Sequence, residues 1–508
     1  MTLREWRERI NDAINPIVVK ELRQAVRGRF VVTVLVLSLV SQMIIVIGAM
    51  IGQRLESMSV ERTAVGAGLF MTIFSVLFFG SIMLVPMYSG FRMMSERSDS
   101  NVDLLFITTI RPRNVVAGKI LSAAVITALI FSASVPFLVF SYVLRGIDFI
   151  SIAIVTLAGY FFIVSQSVLA LFVGALPASR PFKLLLGIGL FAISITTSVA
   201  MSAFAAQFIR FGVTAPGARG MTGGLAAVVA LALIADLLLA FLTTALISPP
   251  SANRALPIRL FLTIMWLVSL GIAIWAVIDN ASVGALLVWA VGELAIISLV
   301  LFSAIGEREE WGPRIARTIP RDPLRRFGAF LLFSGGGGTI WALLMMAATI
   351  ATFGSIAYLG GPADSLNVPR YLMWLLEGAL CIAGYAGTAL LLRRTILTRR
   401  VPARATWAIV LVLFVLLAIL PPLAAFALED DSQGFGIFIR IATIPNPFPM
   451  TSPEAGPWIP KTIALCVWAA LAIVVNVEWA RTLFARFRRP NGETPAMEGI
   501  VPELSAEG

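Results

Sequence analysis

The sequence predicts an all-α polytopic membrane protein of about twelve transmembrane helices, and three observations predict it. Of the 508 residues, 58% are hydrophobic and only 13% charged, about half the charged fraction of a soluble domain, and the mean hydropathy is +0.91. Several stretches also exceed the roughly 18 apolar residues that cross a hydrocarbon core of about 30 Å. Finally, the basic residues fall mainly on one side of the spans those stretches define.

The predicted spans are Phe30–Ile51, Ala67–Tyr88, Ile120–Val143, Phe149–Leu176, Leu184–Phe208 and Gly224–Ser248. They continue as Leu260–Ile278, Gly284–Ile305, Phe330–Ile356, Tyr371–Leu392, Trp407–Leu428 and Thr462–Phe484. With both termini inside, eight of the 39 Lys and Arg lie outside: Arg54, Arg62, Arg145, Arg210, Arg219, Arg370, Arg440 and Lys461. That asymmetry follows the positive-inside rule and sets the orientation in a cytoplasmic (inner) membrane. The net charge of +11 therefore reads as topology and contact with membrane lipid, not as a nucleic-acid footprint.

Residues 1–29 are highly charged, and the first apolar stretch is of full span length, so no cleavable signal is expected. Cys381 and Cys466 both fall inside spans, which leaves no disulfide or thiolate–metal framework. There is no His, removing the commonest general base and metal ligand together. The longest loop, Glu429–Lys461, and the polar tail 485–508 are far shorter than the ~100 residues an ATPase domain needs. Energy for any transport must then come from an ion gradient or another polypeptide.

Ahead of the first span, Asn15-Pro16 reads as a helix N-cap followed by proline at the first helical position. Val18, Leu22 and Ala25/Val26 share one face of that helix, while Lys20, Arg23 and Arg27 line the other. Such a helix lies in the cytoplasmic interface. The plainer alternative is a basic flank that only sets topology.

The most informative segment is the loop Arg92–Lys119, RMMSERSDSNVDLLFITTIRPRNVVAGK. Ser100 to Asp103 resembles a capping box with Asp in the place of Glu or Gln. The helix it opens runs through Val102 to Thr108 before Arg111-Pro112 breaks it. It is apolar enough to dock and charged enough to stay out of the bilayer.

Together, NPIVVKELRQAVRGR at Asn15–Arg29 and the run from Glu96-Arg97 through DLLFITTIRPRNVVAGKIL resemble the type-2 exporter permeases of ATP-binding-cassette transporters. Asp103-Leu104-Leu105, Thr108-Thr109, Pro112-Arg113 and Gly118-Lys119 carry the second half of the match, which covers about the first 250 residues. The family often has Gly-Thr before the Leu-Leu run, where this chain has Asn101-Val102-Asp103.

The resemblance implies that Lys20, Arg23 and Arg27 belong to an elbow helix. It also implies a coupling helix on which Val102, Leu104, Leu105 and Ile107 give apolar contact while Glu96, Arg97, Asp103 and Arg113 set register by charge. The implied partner is a separate ATP-binding-cassette ATPase subunit, acting as a dimer and carrying the ATP and Mg. This chain would bind no cofactor and would not itself be an enzyme.

Residues 249–484 hold six more spans with the same in-to-out rhythm. The basic loop Gly306–Gly328 echoes the first: Glu307-Arg308 matches Glu96-Arg97, and Thr318-Ile319-Pro320-Arg321 loosely matches Thr109-Ile110-Arg111-Pro112. Two parallel six-span units would follow from a degenerate repeat. If the second half is instead six unrelated spans, one permease unit needs a second copy of the chain, a homodimer.

Gly335–Gly338 in FSGGGGT resembles an ATPase signature loop, but no Walker A accompanies it, and close helix packing through small residues is the expected role. Four acids fall within spans, where charge is expensive. Glu478 stands one turn before Arg481, placed to pair with it, and Glu377 lies near the outer interface within reach of water. Asp236 and Glu293 sit near mid-membrane without a local cation. They either bind a coupling ion, as in a secondary transporter, or form helix-to-helix hydrogen bonds. A lipid-directed transferase is a third class, opposed by the missing His and scarce acids. Trp311, Trp341, Trp407 and Trp458, near span ends, read as interfacial anchors.

Overall fold

The computed structural model describes residues 19–21, 23–24, 28–55, 65–98, 112–144, 146–177, 180–212, 218–249, 252–280, 283–307, 311–333, 335–359, 368–398, 401–421, 423, 444–446 and 459–489. Among these there is no β-strand. Among the described residues, eleven helices are long and apolar enough to cross a membrane, the architecture of a polytopic membrane protein. The chain separates into two compact units, Met1–Pro249 and Pro250–Gly508.

Unit 1 contains α1 (Arg29–Leu55), α2 (Val65–Ser98), α3 (Pro112–Val143), α4 (Phe149–Ala175), α5 (Arg180–Phe211) and α6 (Ala218–Ile247). Each runs through an apolar stretch, and α2 continues past it through Arg92, Glu96 and Arg97. Asp148 caps α4 by accepting from the Ser151 N–H at 2.9 Å, satisfying a donor the first turn cannot use. Pro86 and Pro136 lie inside α2 and α3, which packing against neighbouring spans tolerates.

The core of unit 1 forms around α2. Phe70, Phe74 and Phe78 repeat every fourth residue, so they fall on one face, fully buried and stacked with ring centroids 5.7 Å apart. Small residues set the approach of α4 to α2. A Cβ on Gly159 would stand 3.0 Å from the Phe74 ring, and one on Gly174 would stand 2.5 Å from the Gly90 carbonyl oxygen. Gly174→Ala is therefore expected to lower stability by about 1–3 kcal/mol, although alanine favours a helix. A thermal melt of the detergent-solubilised protein reads this, and an unchanged midpoint would mean the helices are not so close.

Unit 2 contains α7 (Leu256–Asn280), α8 (Val283–Ala304), α9 (Pro313–Ala316), α10 (Pro323–Leu332), α11 (Gly337–Leu359), α12 (Val368–Thr395), α13 (Thr406–Phe414) and α14 (Ile459–Arg486). The basic loop 306–328 is thus partly helical. Proline opens both α9 and α10, and Asp322 caps α10 toward the Arg325 N–H. Helices α12 and α14 pack through small residues: a Cβ on Gly384 would lie 2.8 Å from Trp468, and one on Gly387 would lie 2.8 Å from Ala472. The Asn476 amide donates across this seam to the Gly387 carbonyl at 3.1 Å.

The eleventh predicted span, Trp407–Leu428, is seen as the shorter apolar helix Thr406–Ile419, whose second half, Val415–Ile419, is a π-helical turn. The residues from 424 to its predicted end lie outside the described set. One side-chain expectation is corrected here. Trp341 is buried in the core of unit 2 and donates to Thr263 Oγ1 at 3.2 Å, so it is not an interfacial anchor. Trp407 is exposed, whereas Trp311 packs edge-on to Phe487 at 5.0 Å and Trp458 is outside the described residues.

Candidate functional site

The loop that stood out in the sequence joins α2 to α3, and residues 99–111 lie outside the described set. Val102, Asp103, Leu104, Leu105 and Ile107 therefore fall there, as does Arg27 of the N-terminal helix. What the structure describes is the frame around the loop. Arg97 is on the last turn of α2, Arg113 is exposed on the first turn of α3, and Lys20 and Arg23 are exposed before α1.

The frame is closed by charge. Lys119, one helical turn and more into α3, is only 5% exposed, and its Nζ lies 2.8 Å from Glu96 on α2 and 3.2 Å from Glu21. Glu21 also meets Arg92 of α2 at 3.2 Å. Arg92 in turn donates to Gln24 at 2.5 Å and to the Tyr88 hydroxyl at 3.0 Å. Two cations and two carboxylates, contributed by α2, α3 and residues 21–24, thus form one network. A buried ammonium sharing two carboxylates satisfies charge that would otherwise be costly to desolvate.

This placement refines the expectation for Glu96. Its carboxylate is engaged inside the frame with Lys119. Residues 19–21 and 23–24 are helical, and Glu21, which the sequence did not single out, is the residue that ties them to α2 and α3.

Unit 2 has its own buried ion pair. Arg259, on the first turn of α7, is 1% exposed, and its Nη2 lies 2.5 Å from Glu307 Oε1. Its other terminal nitrogen donates to the carbonyls of Leu331, at 3.2 Å, and Phe333. The second Glu307 oxygen accepts the Gly335 N–H at 2.5 Å. Burial pushes the Glu307 carboxyl above its ordinary value, while Arg259 and the Gly335 N–H pull it back.

The glycine run serves this pair. Gly335 adopts φ +121°, a conformation only glycine takes readily. A Cβ on Gly338 would enter the Arg259 guanidinium, and one on Gly336 would stand 2.9 Å from Trp479. Close packing is the role the sequence predicted for this run.

Three of the four intramembrane acids are partnered. Ser165 donates to Asp236 at 2.9 Å, and Ser269 donates to Glu293 at 2.7 Å while accepting from the Trp289 indole at 2.9 Å. Both are half-buried and bonded to a neighbouring helix. Glu377, expected within reach of water, is 12% exposed and has protein partners as well. It pairs with Lys461 at 3.4 Å and accepts from Thr462 at 2.6 Å, both on the first turn of α14. Glu478 and Arg481 are both exposed and, among the described residues, do not pair. No cluster of three or more His, Cys, Asp or Glu able to hold a metal occurs among the described residues. Comparison of the chain with protein-family models, curated proteins and solved structures yields no match.

Proposed function

We propose that the chain is the membrane-spanning permease subunit of an ATP-driven exporter. It would move its substrate across the cytoplasmic membrane while a separate ATPase subunit hydrolyses ATP. The observation that carries this reading is the charge network at Lys119, which ties the two helices bracketing loop 99–111 to each other and to residues 21–24. Force applied to that loop would be delivered to α2 and α3 as one body rather than lost in independent motion of their ends.

On this reading residues 99–111 form the contact with the ATPase, with both termini of the chain cytoplasmic. Leu104, Leu105 and Ile107 supply the apolar surface, and Asp103 and Arg113 set register. Asp236 and Glu293 then act as helix-to-helix hydrogen-bonding groups, as their serine partners support.

Leu105→Asp and Ile107→Asp each place a charge in the apolar contact. Each variant is expected to lower transport by at least about tenfold. The ATPase subunit should no longer co-purify, and the melting profile of the spans should be unchanged. Full transport and co-purification in both variants would rule the assignment out.

A further inference from the structure

A cavity of about 490 Å³ opens in unit 2 among α8, α10, α11, α12 and α14, within the roughly 300–1,000 Å³ typical of small-molecule sites. Its wall is hydrocarbon: Leu344, Ala386, Leu390, Ile473, Val477 and Phe484 are typical of the lining. Such a wall offers a hydrated solute no compensation for the water it would lose. Four of the five surrounding helices are long apolar spans, so the cavity lies where the bilayer supplies hydrocarbon chains.

Its polar groups gather toward one end. The Asn476 amide hydrogens are already given to Gly387 and Ala472 carbonyls. Arg481 also lines the cavity, is exposed, and has no hydrogen-bond or ion-pair partner among the described residues. Glu478, one turn earlier, does not neutralise it.

The surface around that end is basic. Arg326 of α10 donates to the carbonyls of Phe484 and Phe487, both at 2.6 Å, which joins α10 to the end of α14. Burial, and after it the nearby charge of Arg488, lowers the Arg326 pKa. Arg325, 83% exposed, and Arg486 extend the cluster, and the local acid Asp322 meets only Arg325, at 3.9 Å.

We propose that this cavity binds an anionic phospholipid, with an acyl chain along the apolar wall and the phosphate against Arg481. A basic rim at the end of apolar spans is where an anionic headgroup would stand, and an acyl chain would make dispersion contacts along the apolar wall. The site is independent of the loop 99–111 and of the transport reading.

Trp479 lines the cavity and reports on it. The full chain in detergent micelles is titrated with phosphatidylglycerol or phosphatidylcholine carrying brominated acyl chains. The Trp479 signal is taken as wild type minus Trp479→Phe. Quenching is expected at about fivefold lower mole fraction of the anionic lipid, and Arg481→Gln is expected to erase that preference. Native mass spectrometry gives a second readout that does not depend on Trp479. The wild type should retain a phosphatidylglycerol molecule that Arg481→Gln loses, and inorganic phosphate should not displace it. Equal quenching by both lipids, a preference that survives Arg481→Gln, or displacement by phosphate overturns the proposal.

Discussion

Arg259→Ala is expected to destabilise unit 2 by about 3–5 kcal/mol, the usual consequence of removing one partner of a buried ion pair. The guanidinium leaves more than a cavity. Glu307 keeps only the Gly335 N–H, and the carbonyls of Leu331 and Phe333 lose their donor. Each orphaned group adds its own desolvation penalty. Combining Arg259→Met with Glu307→Gln removes both charges, and this pair is expected to recover a substantial part of the loss. Unfolding midpoints of the two proteins in detergent check the prediction. If Arg259→Ala melts with the wild type, the pair does not hold this end of the unit together.

Lys119→Met should have the second largest effect, and on two quantities at once. It leaves Glu96 without its cation and reduces Glu21 to its contact with Arg92. A stability loss of about 3 kcal/mol is expected. If the permease reading holds, transport should fall further than stability explains, while the partner continues to hydrolyse ATP. Glu96→Gln is the control: its carboxylate is 37% exposed, and partly exposed pairs contribute about 1 kcal/mol or less. Transport per folded molecule separates the two effects. Equal transport in Lys119→Met and wild type, once corrected for folded protein, would show that the network is only structural.

The membrane architecture was legible because an apolar run of span length has few alternatives. Each of α1 to α8 covers a predicted run, although α2 extends past Tyr88 to Ser98 and α3 begins at Pro112 rather than Ile120. Packing glycines were also legible, since FSGGGGT lacked every companion a nucleotide site requires. The ion pairs were not. Glu21 and Lys119 are 98 residues apart, and Arg259 and Glu307 are 48 apart, so no local pattern links them. An arginine at the head of an apolar run gives no warning either, because from a helix end it can reach the interface at little cost. Trp341 misled because proximity to a span end does not decide which face a side chain takes. Glu377 misled because its partners, Lys461 and Thr462, arrive from a distant segment.

The Arg259–Glu307 pair also carries an order of events. The chain is made from its N-terminus, so the arginine enters the membrane region 48 residues before its carboxylate exists. Gly335, whose N–H completes the arrangement, comes later still. Until then the guanidinium must remain with water or lipid phosphate at the surface. Closure of this end of unit 2 therefore cannot precede the emergence of the glycine run.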